Sequence, residues 1–270
     1  MSSLTSRIIP FYFGPPDKQL FGCYHAPQSQ VPRSCAVVLC YPAGQEYIRS
    51  HRSFLQLANR IARAGFHVLR FDFYGCGDSA GSDTDVRLPQ LSRDIHHAVD
   101  LMRAKYGVTE IVLVGLRLGA ALALLTAAER SDIDKIVLWE PTVVGKDFMK
   151  ELRLLHRKRI QSFPAKIYLP SANGHHSEIS GFALPEPLCE ELEAFDLRNT
   201  TRKPTDRVFF VAHEPGGIDK ALVARLREMS VVVDTETVPG PRIWFEDVNK
   251  VLVPHQVLQS IVTWLAKVHP

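Results

Sequence analysis

The stretch that decides the fold is EIVLVGLRLGAALALLTAAER, residues 110–130. Its first part, EIVLVG, is short, apolar and rich in β-branched residues, which predicts a buried strand. Its second part, LRLGAALALLTAAER, is rich in alanine and leucine, which predicts a helix. The two glycines between them predict a tight turn, and the central residue of that turn is Arg117.

Segments with strand-like and helix-like patterns alternate on both sides of this unit. Short apolar runs predict the strands, and the longer segments between them predict the helices. The predicted strands after residue 34 are CAVVLCYP (35–42), HVLRFDFYG (67–75), EIVLVG (110–115), DKIVLWE (134–140), RVFFVAHE (207–214) and VVVDTETV (231–238). Such alternation is typical of a parallel sheet with crossover helices.

Two further features complete the predicted architecture. RIIPFYFG and LFGCYHAP, separated by the turn sequence GPPDKQ, predict an antiparallel hairpin at the sheet edge. Between about residues 142 and 205 the alternation gives way to one helix and a turn-rich stretch, which predicts a lid inserted after the sixth strand. We therefore expect a single α/β domain over residues 1–270, with an eight-stranded, mostly parallel sheet and helices on both faces.

The composition is that of an ordinary globular protein. Of the 270 residues 46% are hydrophobic, and a net charge of +3 with dispersed basic residues argues against a nucleic-acid partner.

The sequence shows neither a signal peptide nor an apolar run that could span a bilayer, which predicts a cytoplasmic protein without a membrane span. Five cysteines without CxxC spacing predict reduced thiols, and no motif predicts a cofactor or a metal.

Three short signatures follow predicted strands. They are GLRLG (115–119), FDFYGCGDSAG (71–81) and YPAGQE (41–46). They resemble the nucleophile elbow G-x-S-x-G, the D-x-x-G-x-G-x-S loop and the oxyanion-hole loop of α/β hydrolases. The run from YPAGQEYIRSHRSF to LWEP resembles more narrowly the serine-aminopeptidase-like proteins called exosortase A system-associated hydrolases. The resemblance covers nearly the whole chain and implies the α/β-hydrolase fold.

The resemblance also implies a catalytic triad, and two of its three positions are not filled. An α/β hydrolase needs a nucleophile at the elbow, an acid after strand six or seven and a histidine after strand eight. The elbow carries Arg117, which stays protonated and cannot attack a carbonyl. VPGPRIWFEDVN, after strand eight, has no histidine, and we expect His255 to be a capping or surface residue. Glu140 and Glu214 fill the acid positions, so the triad is degenerate.

An arginine at the elbow allows two arrangements. In the first, Arg117 at the amino end of a helix holds an anionic group together with the backbone N–H of Leu118 and one near Ala43 or Gly44. Tyr41, from the same loop as Ala43, is also expected to contact the substrate. The helix dipole favours negative charge at this place, which supports an open anion site.

In the second arrangement a carboxylate neutralises the arginine, because an unpaired buried guanidinium is costly. Glu46, Glu140 and Glu214 all follow predicted strands and are candidates for this ion pair.

Two functions are compatible with these patterns. The first is a hydrolase-like enzyme without a serine nucleophile, which acts on an acyl, ester or thioester substrate whose anionic group Arg117 holds, with Glu46 or Glu214 as general base. The alternative is a catalytically inert pseudoenzyme that binds an acidic metabolite or a partner protein. A second copy of the chain, in a homodimer, is a further expected partner.

Overall fold

The computed structural model describes residues 8–162, 177–245 and 252–269 of the chain. Eight strands form one sheet in the order β1-β2-β4-β3-β5-β6-β9-β10. Their bounds are β1 Ile8–Phe13, β2 Leu20–His25, β3 Cys35–Cys40, β4 His67–Phe71, β5 Glu110–Leu116, β6 Lys135–Trp139, β9 Arg207–Ala212 and β10 Val232–Thr237. All neighbours from β4 to β10 in this order are parallel, whereas β1 and β2 are antiparallel. The predicted fold class and edge hairpin are confirmed.

Seven helices connect and cover the strands in the described part of the chain. They are α1 Gln45–Arg63, α2 Leu88–Tyr106, α3 Leu118–Glu129, α4 Gly145–Ser162, α5 Glu186–Ala194, α6 Lys220–Glu228 and α7 His255–Val268. Helix α1 packs against α7, and α2 packs against α3. None of these helices is long and apolar enough to cross a lipid bilayer.

The central strands explain why the sequence folds this way. Every residue of β3 is buried, and so is every residue of β5 except Glu110 at its start. Parallel strands covered on both faces need such continuous apolar runs. Because β3, β5, β6 and β9 are parallel neighbours, their carboxyl ends lie at one edge of the sheet. The loops that contain Gly44, Arg117, Glu140 and His213 therefore meet there.

The segment between β6 and β9 contains more structure than its sequence predicts. After α4, the strands β7 (Ser177–Ile179) and β8 (Phe182–Leu184) form a small hairpin, and α5 packs against α4. The sequence analysis predicted only one helix here, because the short strands and α5 lie among turn-forming residues. The predicted lid at 142–205 includes residues 163–176, which lie outside the described residues.

The cysteines are placed as expected for reduced thiols. All five lie in the described residues and none is in a disulfide: Cys35, Cys40 and Cys189 are buried, and Cys23 and Cys76 are half-buried. Burial raises the pKa of the Cys35 thiol to about 12. Such thiols behave as small apolar side chains.

Candidate functional site

The turn between β5 and α3 has the backbone of a nucleophile elbow. Arg117 has φ 54° and ψ −118°, a region that residues with a side chain rarely adopt. Its backbone is fixed on both sides, since its N–H donates to the carbonyl of Trp139 and its carbonyl accepts from the N–H of Thr142. A Cβ atom at Gly115 would lie 2.4 Å from the backbone nitrogen of Ala120, so the turn needs glycine there.

Two carboxylates close around the guanidinium of Arg117. Its Nε donates to Glu46 Oε1 at 3.1 Å, and a terminal nitrogen donates to Glu151 Oε2. The rings of Phe148 and Trp244 lie 5.7 Å and 5.5 Å from its central carbon, within cation–π range. Only 12% of the Arg117 side chain is exposed. Of the two arrangements that the sequence allows, this one is the closed ion pair.

Burial and the neighbouring charges both shift the pKa values of Glu46 and Arg117. Glu46 is 4% exposed, and burial raises its pKa although the Arg117 guanidinium acts in the opposite direction. Glu151 raises the pKa of Glu46 further, because two carboxylates share one guanidinium. Burial alone would lower the pKa of Arg117, but the two carboxylates hold it above its ordinary value. Arg49 also acts to lower the pKa of Glu46, so two cations oppose the effects of burial and of the second carboxylate.

Glu46 has one oxygen that the ion pair does not use. Its Oε2 is buried and receives no hydrogen bond from the described residues. Glu46 also lines the large cavity described below. An unpaired buried oxygen is costly, so Oε2 is the atom of this carboxylate that a hydrogen-bond donor would stabilise.

Of the three candidate carboxylates, Glu46 pairs with Arg117, and Glu140 and Glu214 form no ion pair with it among the described residues. Glu140 Oε1 lies 2.5 Å from Nδ1 of His213, and Glu214 Oε1 lies 3.3 Å from Nε2 of the same ring. Both glutamates instead enclose His213, because the adjacent parallel strands β6 and β9 end side by side. The ring of Trp244 contacts both His213 and Arg117.

Two site residues were missed by the sequence analysis. Glu151 lies on α4, far from any strand end, and only the packing of that helix brings it to the elbow. His213 directly follows β9, as Glu140 directly follows the neighbouring parallel strand β6, and this equivalent position was a usable signal. His255 is outside the site as expected: its Nδ1 lies 2.6 Å from a terminal nitrogen of Arg60. Residues 246–251 of the predicted histidine loop lie outside the described residues.

A cavity of about 790 Å³ lies beside the elbow. Its apolar wall comes from α2, α3, α4, α5, the β7–β8 hairpin and the loops after β4 and β10. The apolar side chains include Phe73, Leu91, Leu118, Leu122, Phe148, Leu152, Leu155, Ile179, Phe182, Leu184, Leu188, Leu192, Trp244 and Phe245. Cavities of this size hold ligands the size of a lipid or a drug.

Some of the predicted site residues line this cavity and others do not. Tyr41, Ala43, Gly44 and Leu118 line the cavity, as does Glu46. Among the described residues, Arg117, Glu140 and Glu214 are absent from its wall, so the cavity is not centred on Arg117. The Tyr41 ring is 1% exposed and its hydroxyl accepts a hydrogen bond from Arg70, so it acts mainly as a wall of the core.

The start of α3 contributes backbone donors to the cavity wall. The carbonyl of Arg117 accepts hydrogen bonds from the N–H groups of Ala120 and Ala121, which makes it the first acceptor of the helix. The N–H groups of Leu118 and Gly119 therefore have no carbonyl within the helix to bind. Because Leu118 lines the cavity together with Gly44, this wall combines apolar surface with helix-terminal donors.

One cluster in the described residues has metal-ligating side chains. Cys35, Glu110 and His269 lie at the opposite end of the sheet, with candidate ligand atoms within 4.8 Å of one another. His269 Nδ1 is 2.5 Å from Glu110 and 3.5 Å from the Lys135 amine, and the His269 carbonyl accepts from Arg33. Two cationic side chains this close disfavour a metal cation, so the cluster is better explained as a structural network.

Comparisons with known proteins agree with this geometry. The family model described as serine aminopeptidase, S33, matches residues 36–181. Human protein ABHD12B is 31% identical over 109 residues, 39% of this chain and 29% of that protein. Lysophosphatidylserine lipase ABHD12 of Xenopus tropicalis is 30% identical over 86 residues, 32% of this chain and 22% of that protein. The chain thus matches less than a third of the length of either relative.

Solved structures show the same fold at low sequence identity. Est1E from Butyrivibrio proteoclasticus with ferulic acid bound has a TM-score of 0.69 at 16% identity, covering 95% of this chain and 98% of that one. The Pyrococcus furiosus esterase Pf2001 has a TM-score of 0.67 at 16% identity, covering 99% and 93%. The family match extends over more than half of the chain and includes the elbow. The chain therefore belongs to the serine aminopeptidase (S33) family of α/β hydrolases.

Proposed function

We propose that the protein binds an acyl compound, such as an ester or thioester with an anionic group, in the apolar cavity, and that it forms no acyl-serine intermediate. One observation carries the proposal: a buried guanidinium, paired with Glu46 and Glu151, stands at the nucleophile position directly beside a large apolar cavity. The apolar wall favours an acyl chain, because burial of each methylene group contributes about 0.8 kcal/mol. Within the predicted lid, the described elements α4, α5 and the β7–β8 hairpin line this cavity, and we propose that they act as its lid.

The position of His213 also supports a protein that forms no acyl-serine intermediate. His213 is enclosed by Glu140 and Glu214, and among the described residues no hydrogen bond joins it to residue 117. A general base must lie within hydrogen-bond distance of the nucleophile that it activates. We therefore propose that the protein binds the acyl compound in the cavity but does not form a covalent bond to it at residue 117.

A variant with serine restored at the elbow tests this point. We expect Arg117→Ser to remain unlabelled by a fluorophosphonate probe, because the restored hydroxyl has no base in position. Labelling is measured by mass spectrometry of the intact protein, with an active serine esterase as positive control. Labelling of Arg117→Ser that disappears in Arg117→Ser/His213→Ala would show that His213 reaches the elbow, and would contradict the proposed loss of the triad.

A second candidate function rests on the free oxygen of Glu46. Glu46 lines the cavity, and its Oε2 is buried and unpaired among the described residues. In this candidate a bound ester admits water to Oε2, which accepts a proton as the water attacks the ester without a covalent intermediate. The closed ion pair would then hold Glu46 in place.

One experiment separates binding from this hydrolysis. For a binding protein, we expect mono-p-nitrophenyl esters of medium-chain dicarboxylic acids, which have a free carboxylate, to raise the melting temperature without turnover, since ligands that bind only the folded state stabilise it. For the second candidate, turnover occurs and falls about 100-fold or more in Glu46→Gln, as expected for loss of a general base. Asp147→Asn is the matched control, because it removes an exposed carboxylate that pairs with Lys150 rather than Arg117. Absence of both stabilisation and turnover would contradict both functions.

A further inference from the structure

The two carboxylates on Arg117 differ in how firmly they are held. Glu46 is 4% exposed and lies at the start of α1, anchored in the domain core. Glu151 is 35% exposed and lies on α4, outside the central sheet. Moving a buried carboxylate away from its cation costs several kcal/mol, whereas a partly exposed one regains water. Glu151 is therefore the partner of Arg117 that can be exchanged.

The position of Glu151 on α4 places it next to the cavity. Phe148, Leu152 and Leu155 line the cavity from the same helix, three residues before, one residue after and four residues after Glu151. Residues three and four apart lie on one helix face. The Phe148 ring also contacts the guanidinium. The Glu151 carboxylate thus lies where the apolar wall meets the charged elbow.

The charge balance permits an exchange of one carboxylate for another. On Arg117 itself two carboxylates already share one guanidinium, so a third anion there would meet two like charges. Arg49 and Arg159, which line the cavity, are further cations near a ligand. A ligand carboxylate that takes the place of Glu151 leaves the charge around Arg117 unchanged. The start of α3, whose N–H groups favour negative charge, lies at the same place.

We propose that Glu151 occupies the position of a ligand carboxylate: the cavity takes an acyl chain that ends in a free carboxylate, and this group replaces Glu151 on Arg117. The inference rests on the proposed binding function and makes it specific. It assigns to Glu151 the role of a competing internal anion, and it assigns to the site a preference for acyl anions over neutral compounds with the same chain.

Calorimetric titration with dodecanoate and dodecanol tests this exchange. We expect Glu151→Gln to bind dodecanoate roughly fivefold more tightly than wild type, the effect of one partly exposed charge pair, and to bind dodecanol as wild type does. In Arg117→Gln/Glu151→Gln the gain for dodecanoate should disappear. Asp147→Asn, which removes a carboxylate from α4 without touching Arg117, should bind both ligands as wild type does.

Any other titration result overturns either the exchange of Glu151 or the proposed binding function. An equal gain for both ligands, or no gain for dodecanoate, overturns the exchange and leaves binding in the cavity intact. A gain for dodecanoate that persists without Arg117 shows that Glu151 only repels anions, which also overturns it. If neither ligand binds wild type or any variant, the proposed binding function itself is wrong. Should the double variant not fold because Glu46 is left without its cation, Glu46→Gln/Arg117→Gln/Glu151→Gln, which also removes that charge, replaces it and should show no gain for dodecanoate.

Discussion

Gly119→Ala is expected to yield little folded protein. A Cβ atom at this position would lie 2.2 Å from the carbonyl oxygen of Cys40 and 2.4 Å from that of Tyr41. Both atoms belong to the backbone at the end of the fully buried strand β3, so neither can move without shifting the sheet. We expect a loss of ~4 kcal/mol or more in the free energy of unfolding, measured by urea denaturation.

A second glycine in the same region provides the control. A Cβ atom at Gly216 would have no neighbour within 4 Å, and Gly216→Ala should unfold within about 0.5 kcal/mol of wild type. Equal stability of Gly119→Ala and Gly216→Ala would show that α3 does not approach β3 as closely as described. The elbow geometry would then need revision.

Arg117→Ala is expected to destabilise the protein by about 3 kcal/mol at pH 8, because it leaves Glu46 buried without its cation. The loss should depend on pH. Removal of Arg117 removes the interaction that lowers the pKa of Glu46, so the pKa, already raised by burial, rises further. A carboxyl group whose pKa is higher in the folded than in the unfolded protein destabilises the fold as pH rises through the folded value. We therefore expect a smaller loss at pH 5 than at pH 8, measured by urea denaturation at both.

The double variant Arg117→Ala/Glu46→Gln tests the cause of this loss. Glutamine has nearly the same shape as glutamate but no charge, so the double variant should be more stable at pH 8 than Arg117→Ala alone. Its difference from wild type should also change little between the two pH values. A loss in Arg117→Ala that is equal at pH 5 and pH 8 would contradict the role assigned to the Glu46 charge.

The sequence was sufficient for the fold because the fold depends on local patterns. Fully buried strands such as β3 and β5 appear as unbroken apolar runs, and the glycines of the elbow mark where β5 passes into α3. The turn-rich stretch between α4 and β9 was less informative. Three-residue strands such as β7 are too short for any period to be recognised.

The site could be predicted only in part, because its pairings depend on tertiary packing. Arg117 and Glu46 were identified since each follows a strand that ends at the same edge of the sheet. Glu151 could not be identified in this way, because its contact with Arg117 depends on how α4 folds back over the elbow. Strand order was also unknown from sequence, and it is the adjacency of β6 and β9 that assigns Glu140 to His213 instead of Arg117.

The strained backbone at residue 117 bears on how such proteins diverge. Backbone hydrogen bonds with Trp139 and Thr142, and the lack of side chains at Gly115 and Gly119, support that conformation through groups that any residue at position 117 would leave in place. A single substitution at this position can therefore change what the turn presents without altering its shape. A protein can therefore inherit this turn without inheriting the reaction of its relatives. A relative with serine at this position would share the backbone contacts of the turn while performing different chemistry.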